Sequence, residues 1–207
     1  MTRLAALCLS VLISMTLAGA ERARAETAIV AGGCFWCVEA DFEGVAGVTD
    51  VVSGYTGGDL PNPTYDDHEG HYEAVKITFD PAQISYADLM AKFLRSVDVT
   101  DSGGQFCDRG LTFRSAIFAD GAAQKAAAQA AVAAAEQVLG QDVVTPVLPA
   151  APFWIAEAYH QDYYKGSRLV LTRVGPKTQA NAYKFYRQAC GRDATVKSVW
   201  GDEAFSQ

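Results

Sequence analysis

The sequence predicts a single α+β domain, on three observations. Residues 27–30, 48–55 and 72–79 are β-branched or alternate with period two, residues 85–97, 124–139 and 176–189 carry helical patterning or propensity, and the two kinds do not strictly alternate. No stretch has a linker's composition and none repeats, so one core is expected.

The elements follow in order. Thr27 to Val30 is a short apolar strand, and Gly32-Gly33 turns it into a helix that begins near Cys34. Unpaired N–H groups and the positive end of the helix dipole favour a thiolate there, which makes Cys34 a candidate nucleophile. Cys37 lies three residues on, on the same helix face at roughly 5 Å between Cα atoms, within disulfide range. A strand at 48–55 runs into a loop at 59–70 that holds Pro61, Pro63, Tyr65 and His68; so many turn residues beside chemically able ones mark a site loop. The strand at 72–79 stops at Asp80-Pro81. The helix at 85–97 has Ser85 as cap and Asp88 in its first turn. A loop at 102–110 carries Cys107, a strand follows at 112–118, and a helix at 124–139 rests on its alanines. Pro146 demotes 143–148 to an edge strand. An aromatic-rich helical turn at 157–164 and a helix at 176–189, closed by Gly191, complete the chain.

The first 25 residues read differently. Arg3, the apolar run Leu4 to Leu17 and Ala23-Arg24-Ala25 have the pattern of a secretory signal peptide cut after Ala25. The expected protein is then periplasmic or secreted, with one domain over 26–207 and no membrane association after cleavage. Removing that segment takes away three arginines and one glutamate, so the net charge moves from −7 to −9. Such an acidic balance argues against nucleic acid as a partner. Cys34, Cys37, Cys107 and Cys190 remain. In an oxidising compartment four cysteines can simply make two structural disulfides, although a domain of this size does not need them. His68, His71 and His160 invite a metal reading, but the spacing is not that of a helical His-Glu-x-x-His pair, and no metal is expected.

Several blocks in order, Gly33-Cys34-Phe35-Trp36, Gly54-Tyr55-Thr56-Gly57-Gly58, Asn62-Pro63-Thr64-Tyr65, Gly70-His71-Tyr72-Glu73-Ala74-Val75, Phe113-Arg114-Ser115-Ala116-Ile117 and Tyr159-His160-Gln161-Asp162-Tyr163-Tyr164, resemble the signature of peptide methionine sulfoxide reductase A, in its GCFWC form. The resemblance covers nearly all of the chain after residue 25. It implies a ferredoxin-like two-layer sandwich with a mixed sheet and extended irregular segments, and reduction of methionine S-sulfoxide, free or in proteins, with no bound cofactor.

On that resemblance Cys34 attacks the sulfoxide sulfur, Phe35 and Trp36 wall an apolar methyl pocket, and Glu73 and Tyr65 serve the oxygen. Without it, two aromatics at a strand–helix junction read as core, and a strand glutamate as solvated. Burial would raise the Glu73 pKa and keep a proton on it for the departing oxygen. Phe113 stands where the family usually has a second oxygen-binding tyrosine, and Asp108 matches a supporting acid. The sulfenic acid formed on Cys34 is resolved by another thiol and the disulfide reopened by an external dithiol such as a thioredoxin-like protein. Cys37 ranks first as resolver and Cys190 second, while Cys107 is structural or pairs with Cys190. The protein is expected to act as a monomer. Two rival readings, a thioredoxin-like disulfide exchange protein of the cell envelope and a disulfide-stapled binding module, keep the cysteines but leave the other blocks unexplained.

Overall fold

The computed structural model describes residues 24–205; the greater part of the expected signal peptide lies outside the described residues. In chain order the elements are β1 (Glu26–Gly32), α1 (Phe35–Glu43), β2 (Val48–Thr56), β3 (Tyr72–Phe79), α2 (Tyr86–Leu94), the two-residue strands β4 (Gly104–Gln105) and β5 (Asp108–Arg109), β6 (Ser115–Ala119), α3 (Gly121–Leu139), β7 (Val147–Pro149), β8 (Trp154–Ile155), β9 (Leu169–Thr172), β10 (Gly175–Thr178), α4 (Gln179–Cys190) and α5 (Arg192–Trp200). Short 3-10 turns lie at Leu111–Phe113, Tyr163–Lys165 and Gly201–Glu203.

Six strands form one sheet in the order β7-β6-β1-β3-β2-β8. All neighbours are antiparallel except β6 and β7, so the sheet is mixed, as expected. Period two divides its residues between two faces. Val30, Val51, Tyr55, Val75, Ile77, Phe79 and Ile117 join a buried core with Phe35, Val38 and Phe42 of α1 and Leu89, Met90 and Phe93 of α2. Ala31, Tyr72, Ala74, Ala116 and Phe118 point to the opposite face and make a smaller cluster with Phe153. Glu73 therefore shares the helix-covered face with Val75 and Ile77, and stands beside Tyr55 in the register of β2 and β3.

Several element ends differ from the sequence reading. Ser85 does cap α2, its hydroxyl accepting from Asp88 N at 3.1 Å, but the helix stops at Leu94. The expected strand at 112–118 starts only at Ser115, because residues 111–113 coil into a 3-10 turn behind Gly110, whose φ is +114°. In α3 the only buried residues are Ala128 and Ala135, seven apart and so on one stripe. The expected edge strand at 143–148 shortens to β7, which does lie at an edge of the sheet. Pro176 lies in β10 rather than opening the last helix, and α4 begins at Gln179 behind Thr178, whose hydroxyl accepts from Asn181 N. Gly191 closes α4 in the left-handed region, and α5 follows at once.

Candidate active site

Cys34 occupies the N-cap position of α1, where β1 ends. The turn that delivers it needs Gly33: φ is +79°, and a Cβ there would meet Gln105 Cβ at 2.7 Å. The Cys34 carbonyl accepts from Cys37 N at 3.0 Å, which places Cys37 one turn down the helix. Both cysteines are free thiols; Cys34 is partly exposed and Cys37 buried.

A cleft of about 320 Å³ opens over them. Cys34, Phe35, Trp36, Cys37, Tyr65, Glu73, Asp108, Phe113 and Cys190 all line it, so the nine residues singled out in the sequence converge on one place. Glu73 reaches it from β3 with only 2% of its surface exposed, and its Oε2 accepts from Phe35 N at 3.0 Å, one of the orphan N–H groups at the start of α1. Burial outweighs that hydrogen bond and pushes the Glu73 pKa up to about 8, with Asp108 and Cys37 adding to the rise. The group is a protonated acid at neutral pH. Tyr65, on the loop before β3, has its phenol pushed up to about 12 by burial and by Glu73, and so remains a donor.

Trp36 is fixed by groups the sequence reading did not assign. Its Nε1 donates to His160 Nδ1 at 3.1 Å, and its ring stacks on Tyr163 at 3.7 Å. Burial lowers the His160 pKa to about 4, which keeps Nδ1 available as an acceptor. His71 instead supports the loop before β3, with Nδ1 accepting from Gly58 N and Nε2 donating to Leu60 O. His68 Nδ1 lies 3.0 Å from Thr64 O.

The two free thiols are hydrogen-bonded to each other. Their mutual hydrogen bond, burial and the nearby Glu73 and Asp108 carboxyls raise the Cys34 pKa. The same hydrogen bond, together with Arg192 and Arg187, lowers that of Cys37. The helix terminus alone led to the opposite expectation for Cys34; the hydrogen bond to Cys37 and burial, with the carboxyls across the cleft, outweigh it. Cys107 and Cys190 are joined in a disulfide, with Cα atoms 4.9 Å apart. Cys190 is therefore bonded in this state, and its bridge ties the loop that carries Asp108 to the end of α4. Phe106, Arg173, Tyr183, Tyr186, Arg187 and Arg192 also line the cleft. No motif drew attention to them.

A dithiol at a helix start, facing a protonated carboxylic acid and a phenol across an aromatic-walled cleft, defines a thiol-dependent oxidoreductase. Residues 26–203 match the peptide methionine sulfoxide reductase family, and the chain belongs to it. It is 46% identical over 189 residues to a peptide methionine sulfoxide reductase of Rhizobium meliloti, covering 90% of this chain and 89% of that protein. With a Caulobacter vibrioides protein of the same description it shares 47% over 182 residues, 86% of this chain and 87% of the other. Among solved structures, methionine sulfoxide reductase A of Corynebacterium diphtheriae superposes with a TM-score of 0.65 at 30% identity, over 68% of this chain and 74% of that one. Mxr1 of Saccharomyces cerevisiae in its reduced form gives 0.63 at 26%, over 68% and 84%. The protein is an enzyme that reduces methionine sulfoxide to methionine, a repair reaction for oxidised proteins.

Proposed function

We propose that Cys34 is the atom that takes the oxygen, that the S epimer is the one accepted, and that Cys37 resolves the product. The observation that carries this reading is the Cys34–Cys37 thiol pair lying under Glu73, Tyr65, Phe35 and Trp36 while Cys190 is already bonded to Cys107. The S-methyl group enters the space walled by Phe35 and Trp36, where shape selects one epimer by roughly 1–3 kcal/mol. Glu73 gives its proton to the sulfoxide oxygen, and Tyr65 donates to the same atom. Cys34 attacks sulfur as its own proton passes to Cys37. The adduct collapses to methionine and Cys34 sulfenic acid, whose oxygen keeps the proton from Glu73, while the proton held on Cys37 passes to Glu73 and leaves Cys37 as thiolate. The Cys37 thiolate then attacks the Cys34 sulfur, and hydroxide leaves with the Glu73 proton as water.

An external dithiol of the thioredoxin-like kind reopens the disulfide, because each turnover consumes two electrons and leaves a disulfide, which a dithiol reduces by exchange. One chain supplies the whole site, which supports a monomer. The residue pattern before Glu26 supports export to the periplasm or outside the cell with cleavage after Ala25, and the Cys107–Cys190 bridge accords with an oxidising compartment.

The direct test is to mix the reduced protein with one equivalent of racemic methionine sulfoxide, quench, and map disulfides by mass spectrometry. Loss of one epimer and a Cys34–Cys37 link are expected. A link from Cys34 to Cys107 or Cys190 overturns the assignment. A second test uses Phe113, which lines the cleft where the resemblance expects a phenol. Phe113→Tyr adds a donor for the oxygen and is expected to raise the single-turnover rate several-fold, in line with about 1 kcal/mol for such a bond. An equal or slower chemical step shows that the ring does not face the oxygen.

A further inference from the structure

Cys37 and Asp41 are four residues apart on α1, so they share a face one turn from each other. Asp41 is buried, with 4% of its surface exposed, and two buried arginines from the far end of the chain converge on it. Arg187 of α4 lies 2.8 Å from Asp41 Oδ1, and Arg192 of α5 lies 3.4 Å from Oδ2. Arg187 also donates to Tyr183 Oη at 2.8 Å and to Asp193 at 2.5 Å, but the Asp193 side chain is 40% exposed. Arg192 donates to Gly32 O and Ser96 O, its face covers Phe106, and its Nε is buried with no hydrogen-bond partner.

In the interior the two guanidinium groups face the one buried carboxylate of Asp41, while Arg187 has a second acid in Asp193 at the solvent edge and Arg192 has Asp108 in the cleft wall. Positive charge held in a low-dielectric interior favours an anion close to it. Both arginines line the same cleft as Cys37, whose sulfur packs in the cluster that includes Tyr163 and Tyr183. Of the other titratable groups around Cys37, Asp41 opposes the arginines and Asp108 and Arg173 lie in the cleft wall, while the raised pKa of Cys34 keeps its proton, burial raises the Glu73 pKa, and burial keeps the Tyr163 and Tyr183 phenols protonated.

We propose that Arg187 and Arg192 are positioning residues that hold Cys37 as the anionic partner of the dithiol, so that it both resolves Cys34 and leaves when the disulfide is reduced. This rests on the reading that Cys37 is the resolver and adds a direction to the reductive half. The reductant's thiolate attacks Cys34, the more exposed sulfur, and the Cys34–Cys37 bond breaks with its electron pair going to Cys37 over the arginines. A second reductant thiol then attacks its own sulfur in the mixed disulfide. That releases Cys34 as thiolate, which is protonated, and the reductant leaves oxidised.

The experiment follows two phases after mixing reduced enzyme with methionine sulfoxide: release of one methionine per chain, which reports the proposed function, and disulfide formation, which reports this inference. In Arg187→Met the pH midpoint of the second phase is expected to rise by about one unit, slowing it about tenfold at neutral pH. Arg187→Lys, which keeps the charge, should recover most of the rate. Asp41→Asn leaves the arginines less neutralised and should move the midpoint down, opposite to the effect of loosened packing. Midpoints that stay put, or that move the same way in Arg187→Met and Asp41→Asn, overturn the proposal. Absence of the first phase in the parent protein overturns the proposed function instead. Independently of any variant, the oxidised parent treated with glutathione should carry the mixed disulfide on Cys34; a Cys37 adduct overturns the direction of attack.

Discussion

Cys34→Ser protein is expected to lose turnover of methionine sulfoxide by roughly 10³-fold or more, since a serine hydroxyl is far harder to ionise than a thiol, is a much poorer nucleophile toward sulfur and cannot carry the oxygen as a reducible intermediate. Cys37→Ser separates the two halves of the cycle. It retains the attacking sulfur and the acid, so it should release about one methionine per chain and then stall as a sulfenic acid. Quenched-flow chromatography reads the methionine, and trapping with a sulfenic-acid-specific dione reads the stalled species by mass. Sustained turnover of Cys37→Ser at the parent rate would assign resolution to another thiol, which would first have to come out of the Cys107–Cys190 bridge. Parent-like activity in Cys34→Ser would remove the basis of the whole scheme.

Glu73→Gln is the second large effect, and it pulls activity and stability in opposite directions. The amide can still accept from Phe35 N, so the local structure is kept, but it has no acidic proton to give. Turnover should fall by about 10²–10³-fold. The Glu73 pKa is raised from 4.5 to about 8, so the sign for folding is fixed. Stability from this group is fully present below pH 4.5, declines as the unfolded chain ionises while the folded one does not, and is lost once pH passes about 8. The loss can reach about 5 kcal/mol. Glu73→Gln escapes it, so at pH 8–9 the variant should melt several degrees above the parent while being nearly inactive. In the parent, the rate of the first turnover should fall as pH rises through about 8. A flat profile through that range, or a variant that melts below the parent at pH 9, would show that Glu73 is already ionised in the folded protein at neutral pH.

The three central strands were legible because residues 27–30, 48–55 and 72–79 carry their own periodicity; of the site residues only Cys34 and Cys37 stood out by local turn and helix chemistry, and Glu73, Tyr65, Phe35, Trp36, Phe113, Asp108 and Cys190 rested on the family resemblance. What was not legible depends on distant partners. The hairpin of β9 and β10 has Leu169 and Leu171 largely exposed, so no amphipathic pattern marks it. Helix α5 buries only Arg192, Val196 and Trp200, and one of these is an arginine whose partner Gly32 lies 160 residues away. Arg187 and Arg192 look like ordinary surface cations in sequence. Only the packing of α4 and α5 beneath α1 makes them a charge reserve for Cys37. The raised Cys34 thiol was misjudged because the helix start was weighed alone: the hydrogen bond to Cys37 and burial act first, and Glu73 and Asp108 add to them from β3 and β5.

The bridge between Cys107 and Cys190 spans 83 positions of the chain. Closing a ring of that size removes conformations from the denatured ensemble worth about 4–5 kcal/mol. The tether thus acts mostly when the protein is not folded: after heat or acid has opened the molecule, the far helix and the loop bearing Asp108 cannot drift apart. Refolding begins with one wall of the cleft already joined to the other. An enzyme whose task is to mend oxidant injury in its neighbours gains resilience from a bond that mild oxidation leaves in place.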